Sequence, residues 1–219
     1  MARGVIFDVD GTLIDSNDAH AHAWVDALCE YGHQVDFARI RPLIGMGGDK
    51  LLPEVIGVAD DSPEGKAVSG RRADIFRARH LSELRPFPKA RELVQRVERD
   101  GRKVTVASSA TKEDLVALLD KAGLRHLADD SASKDDAERS KPDPDIVHAA
   151  LGRLGVPPVE VVMVGDTPYD VEAAKRAGIR AIAFRCGGGW TDADFAGAAA
   201  IYDGPSDLLA HLDESPIAR

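Results

Sequence analysis

The stretch Val5-Ile6-Phe7-Asp8-Val9-Asp10-Gly11-Thr12-Leu13 constrains this chain more than any other. Consecutive apolar residues read as a buried strand, and two carboxylates one residue apart follow at once, then Gly-Thr. Positions i and i+2 of an extended strand point the same way, so Asp8 and Asp10 are expected to face one site beyond the strand's end. Acids that close repel one another unless a cation lies between them or one holds a proton. A hard divalent ion such as Mg²⁺, held by carboxylates and phosphate oxygens, supplies that cation. Gly11 lets the backbone turn tightly beside the site. Taken alone, Asp-x-Asp-Gly also describes an ordinary turn closing a surface strand. Its partners further along decide between the two.

After Asp15-Ser16 the apolar period lengthens to that of a helix. Ala21, Trp24, Leu28 and Tyr31 recur at helical spacing, with Ser16 or Asp18 as a cap and Gly32 at the end. Helical patterns continue through residues 37–44, 50–56 and the charged run 62–84, and nothing in 16–85 reads as a convincing strand. Residues 16–85 are therefore expected to form a small helical domain, with 1–15 and 86–219 forming the core domain and Pro86 and Pro88 marking the return. From Lys89 onward helices alternate with short apolar runs at 103–107, 159–164 and 181–184. That rhythm predicts an α/β fold, a parallel sheet covered on both faces, in which ligands bind beyond the carboxyl ends of the strands. Asp8, Ser108 and Asp166 each follow such a run.

Phosphoryl transfer through a covalent intermediate needs a nucleophile, a proton carrier, a metal and donors for the moving oxygens. Asp8 is a carboxylate already ionised near neutral pH, hence a candidate nucleophile. Asp10 could protonate the leaving oxygen and later activate water. Asp166 offers a third metal-directed carboxylate, and Asp170, four residues on, could support it. Ser108 offers a hydroxyl and neighbouring N–H groups at a strand-to-helix turn, where it could equally be a plain cap. Lys141 precedes Pro142, which favours extended backbone at the lysine; so held, it could neutralise charge between Asp8 and phosphate. As a set at strand ends, these residues point to chemistry where each alone does not.

Asp8-x-Asp10-Gly11-Thr12-Leu13, Ser108, Lys141-Pro142-x-Pro144 and Gly165-Asp166-Thr167-x-x-Asp170 resemble the four motifs of the haloacid dehalogenase-like superfamily. The resemblance spans nearly the whole chain. It implies a Rossmann-like core with an inserted helical cap, Asp8 as nucleophile, Asp10 as general acid/base, and Ser108 and Lys141 as phosphate ligands. It also implies Mg²⁺ held by Asp8, Asp10 (through its backbone carbonyl) and Asp166, with Asp170 beside them. Substrate contacts are expected from Thr12, Ser109, Gly47 and Lys50. The second aspartate points to phosphate chemistry on a small phosphorylated metabolite, as in phosphoglycolate phosphatase. β-Phosphoglucomutase shares a spacing like His20/Trp24, although Gly47-Gly48 replaces the Ser-Arg of its cap loop. Phosphonoacetaldehyde hydrolase carries a Schiff-base lysine in a sequence like Met46-Gly47-Gly48-Asp49-Lys50, but resembles Asp-x-Ala in its first motif. A phospho-receiver domain also combines acids, Mg²⁺, a hydroxyl and a lysine, yet is shorter and has no helical insertion.

His20 and His22 do not share a helix face and are read as surface or hinge residues, Trp24 as a core anchor, and Gly187-Gly188-Gly189-Trp190 as a connector. A formal net charge of −9 argues against a nucleic-acid binder. Cys29 and Cys186 form neither a zinc pattern nor a disulfide framework, which fits a reducing cytoplasm. The first strand starts too early to leave room for a signal peptide, and no apolar run approaches membrane length. The expectation is a cytoplasmic monomer or homodimer with no membrane partner.

Overall fold

The computed structural model describes residues 1–219. In chain order, β1 (Gly4–Phe7) and β2 (Ile14–Asp15) precede four helices, α1 (Asn17–Glu30), α2 (Phe37–Ile40), α3 (Gly48–Ile56) and α4 (Pro63–Ile75). The strand β3 (Arg85–Pro86) then opens the alternating part: α5 (Ala90–Arg99), β4 (Lys103–Val106), α6 (Lys112–Lys121), α7 (Asp145–Leu154), β5 (Val161–Gly165), α8 (Pro168–Arg176), β6 (Arg180–Phe184), β7 (Ala200–Tyr202) and α9 (Pro205–Ala210).

Strand β1 is buried at every position, so both its edges and both its faces must be covered. Its edges pair in parallel with β4 and β5, in a five-stranded sheet of order β4-β1-β5-β6-β7. Its faces divide by the period of two. Val5 and Phe7 join a core with Leu93, Leu115 and Leu208 of α5, α6 and α9, while Ile6 joins a second core with Ile146 of α7 and Val171 of α8. Burying each such large side chain stabilises the fold by about 1.5–3 kcal/mol. Phe7 is level with Val106 and Val164, so the residues after β1, β4 and β5 emerge side by side. β7 was not expected; its three residues, none fully buried, carry too little apolar pattern.

The helices α1–α4 pack on one another through Trp24, Leu28, Leu52 and Val68, inside the same cluster as one face of the sheet. Tyr31, grouped with the apolar stripe in the sequence, lies beyond the end of α1 and is exposed. A two-stranded antiparallel ribbon joins the helices to the sheet, Ile14 opposite Pro86 and Asp15 opposite Arg85. This ribbon was not expected, because strands of two residues leave no periodicity to read. Further contacts hold the helices over the sheet. The Asp49 carboxylate accepts from Ser140 Oγ at 2.5 Å and Ser140 N–H at 3.1 Å, and Tyr169 donates to the Pro42 carbonyl at 2.8 Å. No helix is long and apolar enough to cross a membrane.

Candidate active site

Asp8 is the first residue beyond β1, and its N–H donates to Val164 O at 2.8 Å. The chain then leaves the sheet through a tight loop in which Leu13 and Ile14 both donate to Val9 O. Asp10 therefore reaches the site from a loop; the expected pleated strand ends at Phe7. Gly11 has φ +74°, and a Cβ there would stand 2.1 Å from Asn17 Nδ2 and 2.2 Å from Asp166 Oδ2. Only glycine lets the loop pass so close.

Lys141, buried, donates to Asp8 Oδ1 at 2.5 Å and to Asp170 Oδ1 at 2.7 Å. The other oxygen of Asp170 accepts from Thr167 N–H and Oγ1, closing a capping box at the start of α8. Asp170 thus caps the helix with one oxygen and supports the site with the other. Asp166 accepts from Thr12 Oγ1 and from Asn17 Nδ2, each at 2.8 Å. Asp10 Oδ1 bonds Ser16 Oγ at 2.6 Å and His20 Nε2 at 2.8 Å.

Four carboxylates thus crowd one lysine. Burial, reinforced by Asp170, pushes Asp166 up to about 7. Burial and the neighbouring acids also outweigh Lys141 and raise Asp8 well above the carboxylate range. Burial opposes ionisation of Asp10 too, but His20 and Ser16 overcome it and hold Asp10 below that range. The ammonium of Lys141, weakened by burial, is held above the ordinary lysine range by Asp170 and Asp8. Ligand oxygens of Asp8, Asp166 and Asp170 lie within 4.8 Å of one another. An all-oxygen, buried, over-acidic cluster is the donor set that suits a hard divalent cation.

Asp8 and Asp10 also form part of the wall of a cavity of about 640 Å³, counting its open mouth, beneath the helical block. Its size suits a small molecule. Gly47 and Ser109 line it. Ser108 lies behind it, fully buried, with Oγ accepting from Ala110 N–H at 3.1 Å and 3.4 Å from Asp10 Oδ2. Two expected substrate contacts do not reach the cavity. Thr12 is buried beneath, committed to Asp166, and Lys50 is drawn aside to Asp143 at 2.6 Å.

Other residues arrive that the sequence reading placed elsewhere. His20, read as surface or hinge, is buried, stacks on Phe76 with ring centroids 4.0 Å apart and meets Asp10. Phe76 opens the π-helical turn Phe76–His80 that extends α4, a wider turn of a kind frequent at functional sites. The available signal was the four-residue interval to Trp24, which puts both side chains on one face of α1 and on the cavity wall. Asn17, Arg41 and Arg72 carried no motif. Gly187, read as part of a connector, abuts the acids: a Cβ there would be 1.8 Å from Asp166 Oδ2. Arg41 and Asn17 both donate to its carbonyl.

Residues 5–184 match the model of a family described as haloacid dehalogenase-like hydrolase. The fructose-1-phosphate phosphatase of Escherichia coli (strain K12) is 29% identical over 184 residues, 83% of this chain and 96% of that protein. The phosphoglycolate phosphatase of Rhodospirillum rubrum is 30% identical over 213 residues, 93% of this chain and 88% of that protein. The crystal structure of a hydrolase from Pseudomonas syringae superposes with a TM-score of 0.88 at 29% identity, covering 96% of this chain and 98% of that one.

Proposed function

Because this chain belongs to the haloacid dehalogenase-like hydrolases, we propose that it is a Mg²⁺-dependent phosphatase of a small phosphorylated metabolite, working through an aspartyl-phosphate on Asp8. The observation that carries this reading is the presence of Asp8 and Asp10 on one cavity wall, with Lys141, Asp166 and Asp170 directly behind Asp8. Phosphatase relatives of similar length support it. The block of residues 16–85 serves as a cap over the reaction.

Asp8 attacks phosphorus as the bond to the leaving oxygen breaks, and Asp10 delivers a proton to that oxygen. Asp10 is ionised at rest, so it first takes up that proton from solvent, with its Oδ1 held in place by Ser16 and His20. In the second half Asp10 accepts a proton from water, which attacks phosphorus and frees Asp8 and inorganic phosphate. Lys141 holds Asp8 in place while offsetting the negative charge that gathers around it. Asp8 and Asp166 would hold the metal, together with the Asp10 carbonyl implied by the family pattern. Asp170, with both oxygens engaged by Lys141 and Thr167, steadies the cluster from outside. Bound Mg²⁺ supplies charge neutralisation for the phosphate and the attacking carboxylate.

Release of inorganic phosphate from a panel of phosphorylated metabolites with Mg²⁺ tests this directly. Hydrolysis that excess chelator abolishes is expected; no release from any substrate, or full activity in chelator, overturns the assignment. The metal also leaves a signature in stability. Folded Asp166, pushed up to about 7 in the metal-free protein, keeps a proton that the unfolded chain gives up near pH 4. Its burial therefore costs nothing below about pH 4, costs progressively more as pH rises from about 4 to about 7, and levels off above that. In chelator, Asp166→Asn should gain roughly 5 °C or more in Tm over wild type between pH 5 and pH 8. Added Mg²⁺ should close that gap in the wild type only. A difference independent of pH would contradict the assignment of Asp166.

Lys50 bears on the phosphonoacetaldehyde alternative. A Schiff base requires a free amine, whereas the Lys50 ammonium is tied to Asp143. Borohydride with phosphonoacetaldehyde should leave no adduct, and Lys50→Ala should keep phosphatase activity within about threefold, roughly 0.7 kcal/mol. An adduct mapped to Lys50 by mass spectrometry would reverse this reading.

A further inference from the structure

The cavity that holds Asp8 and Asp10 also carries a cation with no protein hydrogen-bond partner. Arg72, on α4, lines the same cavity as Asp8 and Asp10, and its guanidinium lies over the Trp24 ring, 5.2 Å from the centroid. Its Nε is buried without a hydrogen-bond partner. The other side-chain cation of that cavity, Lys134, is already paired with Asp60, which also accepts from Ser69. Burial weakens the charge of Arg72, and Asp114, Asp10 and Asp60 act on it only through space. Arg72 is partly buried, and an unpaired guanidinium whose Nε is shut off from water is costly; what repays it is an oxyanion that takes its N–H groups in pairs. Stacking on Trp24 holds the guanidinium plane still, so the fork is arranged before anything binds.

We propose that Arg72 is the specificity residue for a second anionic group, a carboxylate or a further phosphate, on the part of the substrate that departs from Asp8. This rests on the phosphatase reading and narrows it to phosphate esters whose leaving group is itself charged. Plain sugar phosphates or polyol phosphates lack the group that would satisfy Arg72. The rival account is internal: Asp114 Oδ2 is also buried without a partner, and Arg72 could serve that acid in holding α4 against α6.

Matched substrate pairs separate these accounts. 3-Phosphoglycerate and glycerol 3-phosphate differ in a carboxylate, and fructose 1,6-bisphosphate and fructose 6-phosphate in a phosphate. The wild type should prefer the charged member of at least one pair in kcat/KM, and that pair identifies the anion. Arg72→Gln should lower kcat/KM for that member by about 10- to 100-fold, mainly through KM, and change the neutral member less than about threefold. Arg72→Lys should keep part of the preference, which guards against a variant that folds poorly. Equal losses on both members would assign Arg72 to the Asp114 contact and overturn the proposal. Equal wild-type rates within both pairs would overturn it while leaving the phosphatase reading intact. No hydrolysis of any of these esters, nor of the wider panel, would remove both.

Discussion

Asp8→Asn should abolish turnover while leaving the protein folded. The change keeps the shape of the side chain and removes only the ability to form the bond to phosphorus. A loss of at least about 10³-fold in kcat is expected, roughly 4 kcal/mol of barrier. Stability should not fall with it. Asp8 sits among three other acids, and burial has already raised its pKa well above the carboxylate range, so its ionised form is a burden on the metal-free fold at neutral pH. The metal-free variant should melt at or above the wild-type temperature. Lys141 keeps Asp170 as its partner, 2.7 Å away, so no cation is orphaned. A variant that keeps more than about a tenth of wild-type kcat, a loss of barely 1.4 kcal/mol, would rule out a covalent route through Asp8.

Lys141→Ala should fail in the opposite way, losing stability and activity together. The ammonium is about as buried as the core side chains and is the one cation bonded to Asp8 and Asp170. Removing it leaves buried carboxylates unpaired, which costs about 3–5 kcal/mol. For a chain of this length that is a fall in Tm of roughly 10 °C. The contribution is whole at neutral pH. Asp170 and Asp8 hold Lys141 protonated beyond the ordinary lysine range, so its stabilisation is lost only as pH rises through that alkaline value. Adding Asp170→Asn to Lys141→Ala should recover much of the stability, because one unpaired charge is gone, and none of the activity. Thermal melts and phosphate release on both single variants and the double variant complete the cycle. A single variant with wild-type Tm would mean that the pair contributes nothing to the fold.

These residues were legible in the sequence for a physical reason. Strand period, helix period and the turn residues between them are local properties. They mark where β1, β4 and β5 end, and thereby which residues follow: Asp8, Ser108 and Asp166. In a parallel sheet adjacent strands run the same way, so residues at their carboxyl ends meet without further information. Lys141 was legible by chemistry, as a lysine ahead of Pro142 in a chain already rich in site acids.

What depended on packing between distant segments was not legible. Asn17 reaches Asp166, 149 residues away, and Lys50 turns to Asp143, 93 residues away; no local period encodes either pairing. Thr12 and Lys50 were expected at the substrate and are spent on protein carboxylates instead, because a donor hydroxyl or ammonium beside a carboxylate is satisfied by it once the helices settle on the sheet. His20 meets Asp10 only because α1 packs against the turn that carries Phe76. Arg72 looked like one more charge in an exposed run, and the fold set it on Trp24 with nothing to bind. The sequence alone determined the parallel strands β1, β4, β5 and β6 and the acids beyond their carboxyl ends, through local periods and the geometry of parallel strands. The tertiary structure alone decided which polar groups are consumed by partners and which are left facing the cavity, since that choice belongs to contacts no stretch of sequence contains.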